Sequence, residues 1–276
     1  MSTPAPAGPT PAEPVPAEIV ARLRAAGCVF AEAEAQLLVA AAASPAELSA
    51  MVERRADGMP LEHVVGWAEF CGLRIAVGPG VFVPRRRTEF LVRLAAAGWA
   101  ADRRAGSESP VVLDLCCGSG AAGVAVAAAL GGARLYAADI DPVAVAYARR
   151  NAGPAGGQVY QGDLFGPLPD GLRGHVDILA VNVPYVPTGE IGLLPAEARE
   201  HEPRVALDGG PDGLDVLRRV AAAAAQWLAP GGRLLTEASE RQAVAAAAVL
   251  AGGGLAAAVA SDDELGATVV TGTRPR

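Results

Sequence analysis

The 276-residue chain has no lysine; all 23 basic residues are arginine. That absence excludes Schiff-base and pyridoxal-phosphate chemistry and the lysine-dependent phosphate loop, each of which needs a primary amine. Aromatic residues are scarce, at 4%. The apolar 51% is therefore mostly Ala, Val and Leu, still enough to build a core and to exclude global disorder. The four cysteines, Cys28, Cys71, Cys116 and Cys117, form no C-x-x-C pair, and His63, His175 and His201 are scattered. No zinc-type spacing results, so no metal is expected, and reduced thiols in the cytoplasm are. A net charge of −7 counts against a fold that coats nucleic acid. Residues 1–16 carry six prolines and no basic residue, which reads as a disordered tail, not an export signal. Ala243 to Ala260 has 18 residues without a polar side group, but Gly252, Gly253 and Gly254 break it. A helix, a turn and a strand are expected there, not a membrane span.

What is present reads in order as a small helical domain over 17–57, a hairpin-type linker over 58–88 and a larger domain over 89–276. In the first, Ile19, Leu23, Ala26 and then Ala35, Leu38, Val39 and Ala42 recur at helical spacing. Ser44-Pro45-Ala46-Glu47 resembles a helix start, with Ser as cap, Pro at the first position and Glu at the third. In the linker, glycines punctuate short β-like runs such as Leu73–Val77. The larger domain starts with a helix from Thr88-Glu89 to about Ala100 and a polar loop at 102–109. Strand and helix then alternate: strands at 111–115, 134–138, 159–160, 176–181 and 233–237, helices at 121–130, 142–151, 213–228 and 239–251, and two late strands near 255–260 and 267–272. Alternation of this kind predicts an α/β fold, an open, mostly parallel doubly wound sheet.

The segment Val111-Val-Leu-Asp-Leu-Cys-Cys-Gly118-Ser-Gly120-Ala-Ala-Gly123 leaves a strand and opens a helix. Its glycines fit G-x-G-x-x-G, and Asp139 ends the next strand, where an acidic group can accept from both ribose hydroxyls. A nucleotide-type ligand is expected. A pyrophosphate would use the helix N-terminus, but Asp114 lies four residues before Gly118 and would repel it. An anion there suits the sulfonium and ammonium of S-adenosylmethionine. Ser119 has no glycine two residues before it, so no nucleophile elbow is present.

After the strand 176–181 comes Asn182-Val183-Pro184-Tyr185, at the carboxyl edge of a central strand. This resembles the Asn/Asp-Pro-Pro-Tyr/Phe motif of S-adenosylmethionine-dependent methyltransferases that modify planar nitrogen. Residues 55–91, and Glu202-Pro-Arg-Val-Ala-Leu207 followed by Asp212-Gly-Leu-Asp215, narrow the resemblance to the protein-(glutamine-N5) methyltransferases, the HemK/PrmC family that modifies release factors. The similarity runs collinearly from about residue 20 to 273. It implies a Rossmann-like, seven-stranded methyltransferase sheet with a helical N-terminal substrate-docking domain. It implies that Cys116, Cys117, Gly118, Ser119 and Gly120 line the amino-acid end and ribose of S-adenosylmethionine; Asp114, from its charge, and Asn182 are counted with them as cofactor-binding. It further implies that Asp139 holds the ribose hydroxyls, that Asp163 and Leu164 flank the adenine, and that Asn182, Val183, Pro184 and Tyr185 grip the acceptor amide.

Two departures stand out. Cys116-Cys117 replaces the usual Gly-Thr or similar pair, which stiffens the loop. Val183 replaces the first proline but keeps the backbone carbonyl. A carboxamide nitrogen is a poor nucleophile, because its lone pair is delocalised. Two acceptors, the Asn182 side-chain oxygen and the residue-183 carbonyl, can fix its N–H groups and stabilise the charge that grows as a methyl arrives. The expected acceptor is a glutamine in a protein, with a translation release factor as candidate partner, no membrane, and nucleic acid disfavoured as direct substrate. Three alternatives stay open: the same transfer to adenine or cytosine amino groups in nucleic acid, an NAD-dependent oxidoreductase favoured only by the glycine spacing, and a non-catalytic binding protein. Arg85-Arg86-Arg87 reads either as a substrate or RNA contact or as a solvated turn.

Overall fold

A computed structural model describes residues 16–102 and 109–276. The expected tail, apart from Pro16, and the middle of the expected polar loop at 102–109 lie outside the described residues. The described residues fall into two compact units that divide between Val65 and Gly66.

The first unit is helical: α1 (Ala17–Ala25), α2 (Ala31–Ala41), α3 (Pro45–Ala56) and the short α4 (Leu61–Val65). Leu23, Ala35, Leu38, Met51 and Val52 form its core. Ser44 caps α3 as its sequence predicts: the Oγ accepts from the Glu47 N–H at 3.2 Å, and Glu47 reaches back to the Ala43 N–H at 2.8 Å. Buried Arg55 makes a two-point ion pair with Glu34, at 2.6 and 3.2 Å. Helix α4 falls where the sequence reads as linker. It is one turn in which the Pro60 carbonyl accepts from both His63 and Val64, too short to show a helical period.

The second unit begins with a hairpin, β1 (Trp67–Phe70) and β2 (Leu73–Ala76). Its turn residues Cys71 and Gly72 have φ of 50° and 73°, the mirror-type turn that matches strand twist. Helix α5 (Glu89–Asp102) follows. Then come β3 (Val111–Leu115), α6 (Ala121–Ala129), β4 (Arg134–Asp139), α7 (Pro142–Ala152), β5 (Gln158–Gln161), β6 (Val176–Val181), α8 (Ala196–His201), α9 (Asp215–Trp227), β7 (Leu228–Ala238), α10 (Ala243–Gly252), β8 (Ala256–Asp262) and β9 (Ala267–Thr273). The sheet order is β5-β4-β3-β6-β7-β9-β8. The first five of these strands are parallel, and β9 pairs antiparallel with both β7 and β8. This is the mostly parallel, seven-stranded sheet expected. The strand β7 starts earlier than its sequence suggests. Its register with β6 jumps from Val176↔Leu228 to Ile178↔Arg233, so Pro230-Gly231-Gly232 is absorbed as a bulge.

Each sheet face carries its own core. On one face α5, α6 and α7 pack on Val112, Ile178 and Ala180; on the other α9 and α10 pack on Leu113, Leu179 and Val181. Both faces of β3 are therefore buried, which explains its unbroken apolar run apart from Asp114. Among the described residues no helix is long and apolar enough to cross a membrane; α10 stops at Gly252, and β8 follows.

Helix α6 lies so close to β3 that a Cβ on Gly123 would stand 2.8 Å from the Asp114 Cβ and 2.9 Å from the Leu135 Cδ1. Gly123→Ala should therefore cost about 1–3 kcal/mol, the scale of an overpacked core. A urea midpoint equal to that of the wild type would contradict this packing.

Candidate active site

Strands β3 and β6 are neighbours, and their carboxyl ends open into a cavity of about 400 Å³. Open α/β sheets bind ligands at this point, where successive crossovers diverge. The residues singled out in the sequence, Asp114, Cys116, Cys117, Gly118, Ser119, Asp139, Asp163, Leu164, Asn182, Val183, Pro184 and Tyr185, all line it. Gly120 does not; it lies just behind, at φ 78°, where the loop enters α6. His63, His175 and His201 are not among the lining residues.

The loop after β3 is built on two buried carboxylates. Asp114 is 1% exposed. Its Oδ2 accepts the Gly123 N–H at 2.8 Å, while Oδ1 has no donor among the described residues. Burial pushes its carboxyl up to about 8, with the Asp139 charge adding to the rise. The anion assumed from sequence is thus largely protonated at neutral pH, and a cationic ligand beside Oδ1 would restore it. Asp139 accepts from the Gly118 N–H at 2.8 Å and the Asp141 N–H at 2.9 Å; burial raises its carboxyl too. Each of its oxygens keeps a lone pair for a ligand hydroxyl.

Cys116 has φ 53° and Leu164 φ 48°, the left-handed region that residues other than glycine rarely adopt. Two strained residues on one cavity wall fit the tendency of functional sites to hold backbone in unfavoured conformations. Burial, followed by nearby Asp139 and Asp114, pushes the Cys116 thiol far up; the same groups act on Cys117. Neither is a nucleophile at neutral pH. Asp163 is paired with Arg219, which also lines the cavity.

On the other side, the Asn182 Oδ1 is buried and accepts from no donor among the described residues. Strand β6 ends at Val181, so the Val183 carbonyl lies past the ladder. The Val183 side chain is 2% exposed and packs in the core that α9 covers. What Val183 offers the cavity is its backbone. Tyr185 is held from several directions. Its OH donates to Glu237 Oε1 at 2.7 Å and accepts from Arg87 Nη2 at 2.7 Å. Its carbonyl accepts from Gln242 Nε2 at 2.9 Å. Burial, then the Glu237 charge, pushes the phenol well above its ordinary range. The 207–213 loop clamps the same backbone: Val186 donates to Leu207 at 3.0 Å, and Gly209 donates to Val186 at 2.9 Å. A Cβ on Gly213, at φ 77°, would stand 2.2 Å from the Tyr185 carbonyl oxygen. The Asp212-Gly213 signature is therefore needed for close approach.

Buried Glu202 also lines the cavity, its Oε1 accepting from the Val83 N–H at 3.1 Å and from Arg85 at 2.5 Å. Of the three arginines read as a contact or a solvated turn, Arg85 and Arg87 each pair with a buried carboxylate and line the cavity, while Arg86 is exposed. Sequence reasoning assigned no role to Glu237, Glu202, Arg219, Phe70 or Phe82, although all border this site. Signals were present for some of them: Glu202 opens the Glu202–Leu207 signature, Phe70 and Phe82 lie in the 55–91 segment, and Glu237 is an acidic residue ending an otherwise buried strand.

A family model described as a methyltransferase domain matches residues 112–200. The chain is 43% identical over 199 residues to a release factor glutamine methyltransferase of Geobacter sulfurreducens, covering 70% of this chain and 66% of that protein. It is 41% identical over 189 residues to a release factor glutamine methyltransferase of Mycolicibacterium smegmatis (68% and 64%). It is also 41% identical over 186 residues to a 4-amino-L-phenylalanine/4-methylamino-L-phenylalanine methyltransferase of Streptomyces pristinaespiralis (67% and 63%). The match thus spans just under two thirds of each relative's length. Among solved structures, a methyltransferase from Pyrococcus furiosus superposes with a TM-score of 0.51 at 15% identity, covering 74% of this chain and 90% of that one. It shares the fold.

Two outcomes follow from the β3 loop. Because the folded Asp114 carboxyl titrates near 8 and the unfolded one near 3.8, the native state holds the extra proton between those values. Stability contributed by Asp114 should be full below about pH 4 and fall as pH rises to about 8. Asp114→Asn should flatten that part of the melting-temperature profile, and an unchanged slope would refute the assignment. Cys116→Gly should be neutral or stabilising by up to about 1 kcal/mol, whereas Cys116→Val should cost about 1–3 kcal/mol. Equal denaturation midpoints for the two variants would argue against the left-handed loop.

Proposed function

The chain belongs to the HemK/PrmC family of S-adenosylmethionine-dependent methyltransferases, and we propose that it methylates the side-chain amide nitrogen of a glutamine in a protein, with a translation release factor as the leading acceptor. The observation that carries this reading is the buried Asn182 Oδ1, an acceptor with no donor among the described residues, at the carboxyl end of a central strand. An unsatisfied buried acceptor costs about 1–3 kcal/mol, and an amide N–H supplies what it lacks.

The residues present suit the cofactor. Gly118 faces open space, Asp139 has lone pairs for ribose hydroxyls, and the orphaned Asp114 Oδ1 suits an ammonium group. When bound, S-adenosylmethionine supplies an electrophilic methyl group on a sulfonium. Asn182 and the Val183 carbonyl accept the two amide N–H groups and aim the nitrogen lone pair at that methyl. Both partial negative charges stabilise the cation that forms, and Tyr185 packs against the amide plane. The alkylated nitrogen is acidic and loses its proton to solvent without a strong base. The helical unit is assigned to docking the protein acceptor; its exposed Val29 and Phe30 support that role. Cytoplasmic location belongs to the same reading.

One observation favours a second acceptor. Val183 departs from the proline of the motif, and the Streptomyces pristinaespiralis relative is named for an aryl amine on a small amino acid. An aryl NH₂ is also planar and presents two N–H donors.

S-adenosylhomocysteine should bind in the micromolar range, about −8 kcal/mol. Asp139→Ala should weaken it by about 1.5–3 kcal/mol. Asn182→Ala should lower turnover about 10²–10³-fold while retaining much of the cofactor affinity. Labelled methyl transfer should be run against a release factor and against 4-aminophenylalanine. Label in a glutamine of the protein supports the first reading, and label only in the small amine replaces it with the second. Tighter binding of NAD than of S-adenosylhomocysteine would remove both.

A further inference from the structure

Tyr185 must present its ring at a set angle if it is to lie against a planar acceptor, yet a tyrosine ring turns about two bonds. Its backbone is fixed by Gln242 and the Gly213 approach; the ring is not fixed by either. Three hydrogen bonds close on its hydroxyl end instead. Tyr185 OH donates to Glu237 Oε1 at 2.7 Å, Arg87 Nη2 donates to Tyr185 OH at 2.7 Å, and Arg87 Nε donates to the same Glu237 oxygen at 2.6 Å. The other Glu237 oxygen accepts from Thr88 Oγ1 at 2.6 Å. Glu237 is 3% exposed and both its oxygens are engaged by this set. Arg87, half exposed, lines the cavity itself. Burial alone would make it easier to deprotonate, but Tyr185 and Glu237 hold its guanidinium above the ordinary value.

We propose that Arg87 is a positioning residue: its planar fork joins the Tyr185 hydroxyl to the end of β7 and so fixes the plane against which the acceptor nitrogen is presented. The fork matters because two donors at fixed separation bind two oxygens at once; a single ammonium cannot. The clamp spans three segments, the 3-10 turn Arg86–Thr88 just before α5, the turn after β6 and the end of β7. Its consequence is alignment of the acceptor, read in turnover, and not affinity for the cofactor. The proposal rests on the reading that Tyr185 packs against the acceptor.

A double-mutant cycle tests it. Arg87→Leu should lower kcat on the methyl acceptor about tenfold and leave the Kd for S-adenosylhomocysteine within about twofold. Tyr185→Phe should cause a similar loss, and adding Arg87→Leu to it should cost less than about twofold more. Arg87→Lys should fall between wild type and Arg87→Leu, and it carries the comparison if Arg87→Leu does not fold. Full kcat in Arg87→Leu, or losses that multiply in the double mutant, would overturn the proposal. A second readout needs no acceptor. In protein labelled with 3-fluorotyrosine, which has four tyrosines, the Tyr185 signal is the one missing from Tyr185→Phe. A clamped ring should give separate lines for its two edges, merging in Arg87→Leu; identical spectra with and without Arg87 would also overturn it. If the wild type methylates no glutamine, the acceptor reading fails while the fluorine spectra still decide the clamp.

Discussion

Strands β3 and β6 lie side by side, but the helix after β3 packs on one face of the sheet and the helix before β7 packs on the other. Neither crossover can cover the strand ends between them. Backbone and side-chain polar groups at those ends are therefore left facing a cleft, and the fold has to satisfy them or reserve them for a ligand. Both solutions are present. Both Glu237 oxygens and the Glu202 Oε1 are supplied with donors from other segments. The Asp114 Oδ1 and Asn182 Oδ1 find none among the described residues.

That division separates scaffold from site. A buried carboxylate is strongly destabilising without partners, so Glu202 and Glu237 dictate where the 83–88 strap and the Tyr185 turn must lie. Asp114 resolves the same conflict differently, by holding a proton at neutral pH. Its ionisation is then linked to whatever cation enters the cavity. The Asn182 amide cannot change charge, so its oxygen remains an acceptor awaiting an N–H.

Departures from the family motif are milder in three dimensions than along the sequence. Val183 turns its side chain into the core and leaves the carbonyl beyond the end of β6, so the group that would meet the acceptor is the one every residue has. Cys116 is the more demanding change. At φ 53° the position favours glycine, and a thiol there costs backbone strain; its side chain regains part of that by packing on the core beneath the loop.

Much of this fold was legible in the residues. Alternating apolar strands and capped helices specify a parallel α/β sheet because local period and burial agree at each element. The glycine loop, Asp139 and Asn182-Val183-Pro184-Tyr185 stand out because each occupies a fixed place relative to a strand end. Helix α4 and the true start of β7 did not: one is a single proline-nucleated turn and the other a bulge, and neither changes a hydrophobic period. The partners of Glu237 and Glu202 were equally hidden. Arg87 is 98 residues from Tyr185, and Tyr185 is 52 from Glu237. No spacing rule connects them; the packing of β6 beside β7, and of α5 on β7, brings their polar groups within reach. Local pattern and the family resemblance were enough to single out candidate groups. Which of those groups are already satisfied, and which are still open to a ligand, was settled by the folded arrangement, because a hydrogen bond depends on distance in space and not on distance along the sequence.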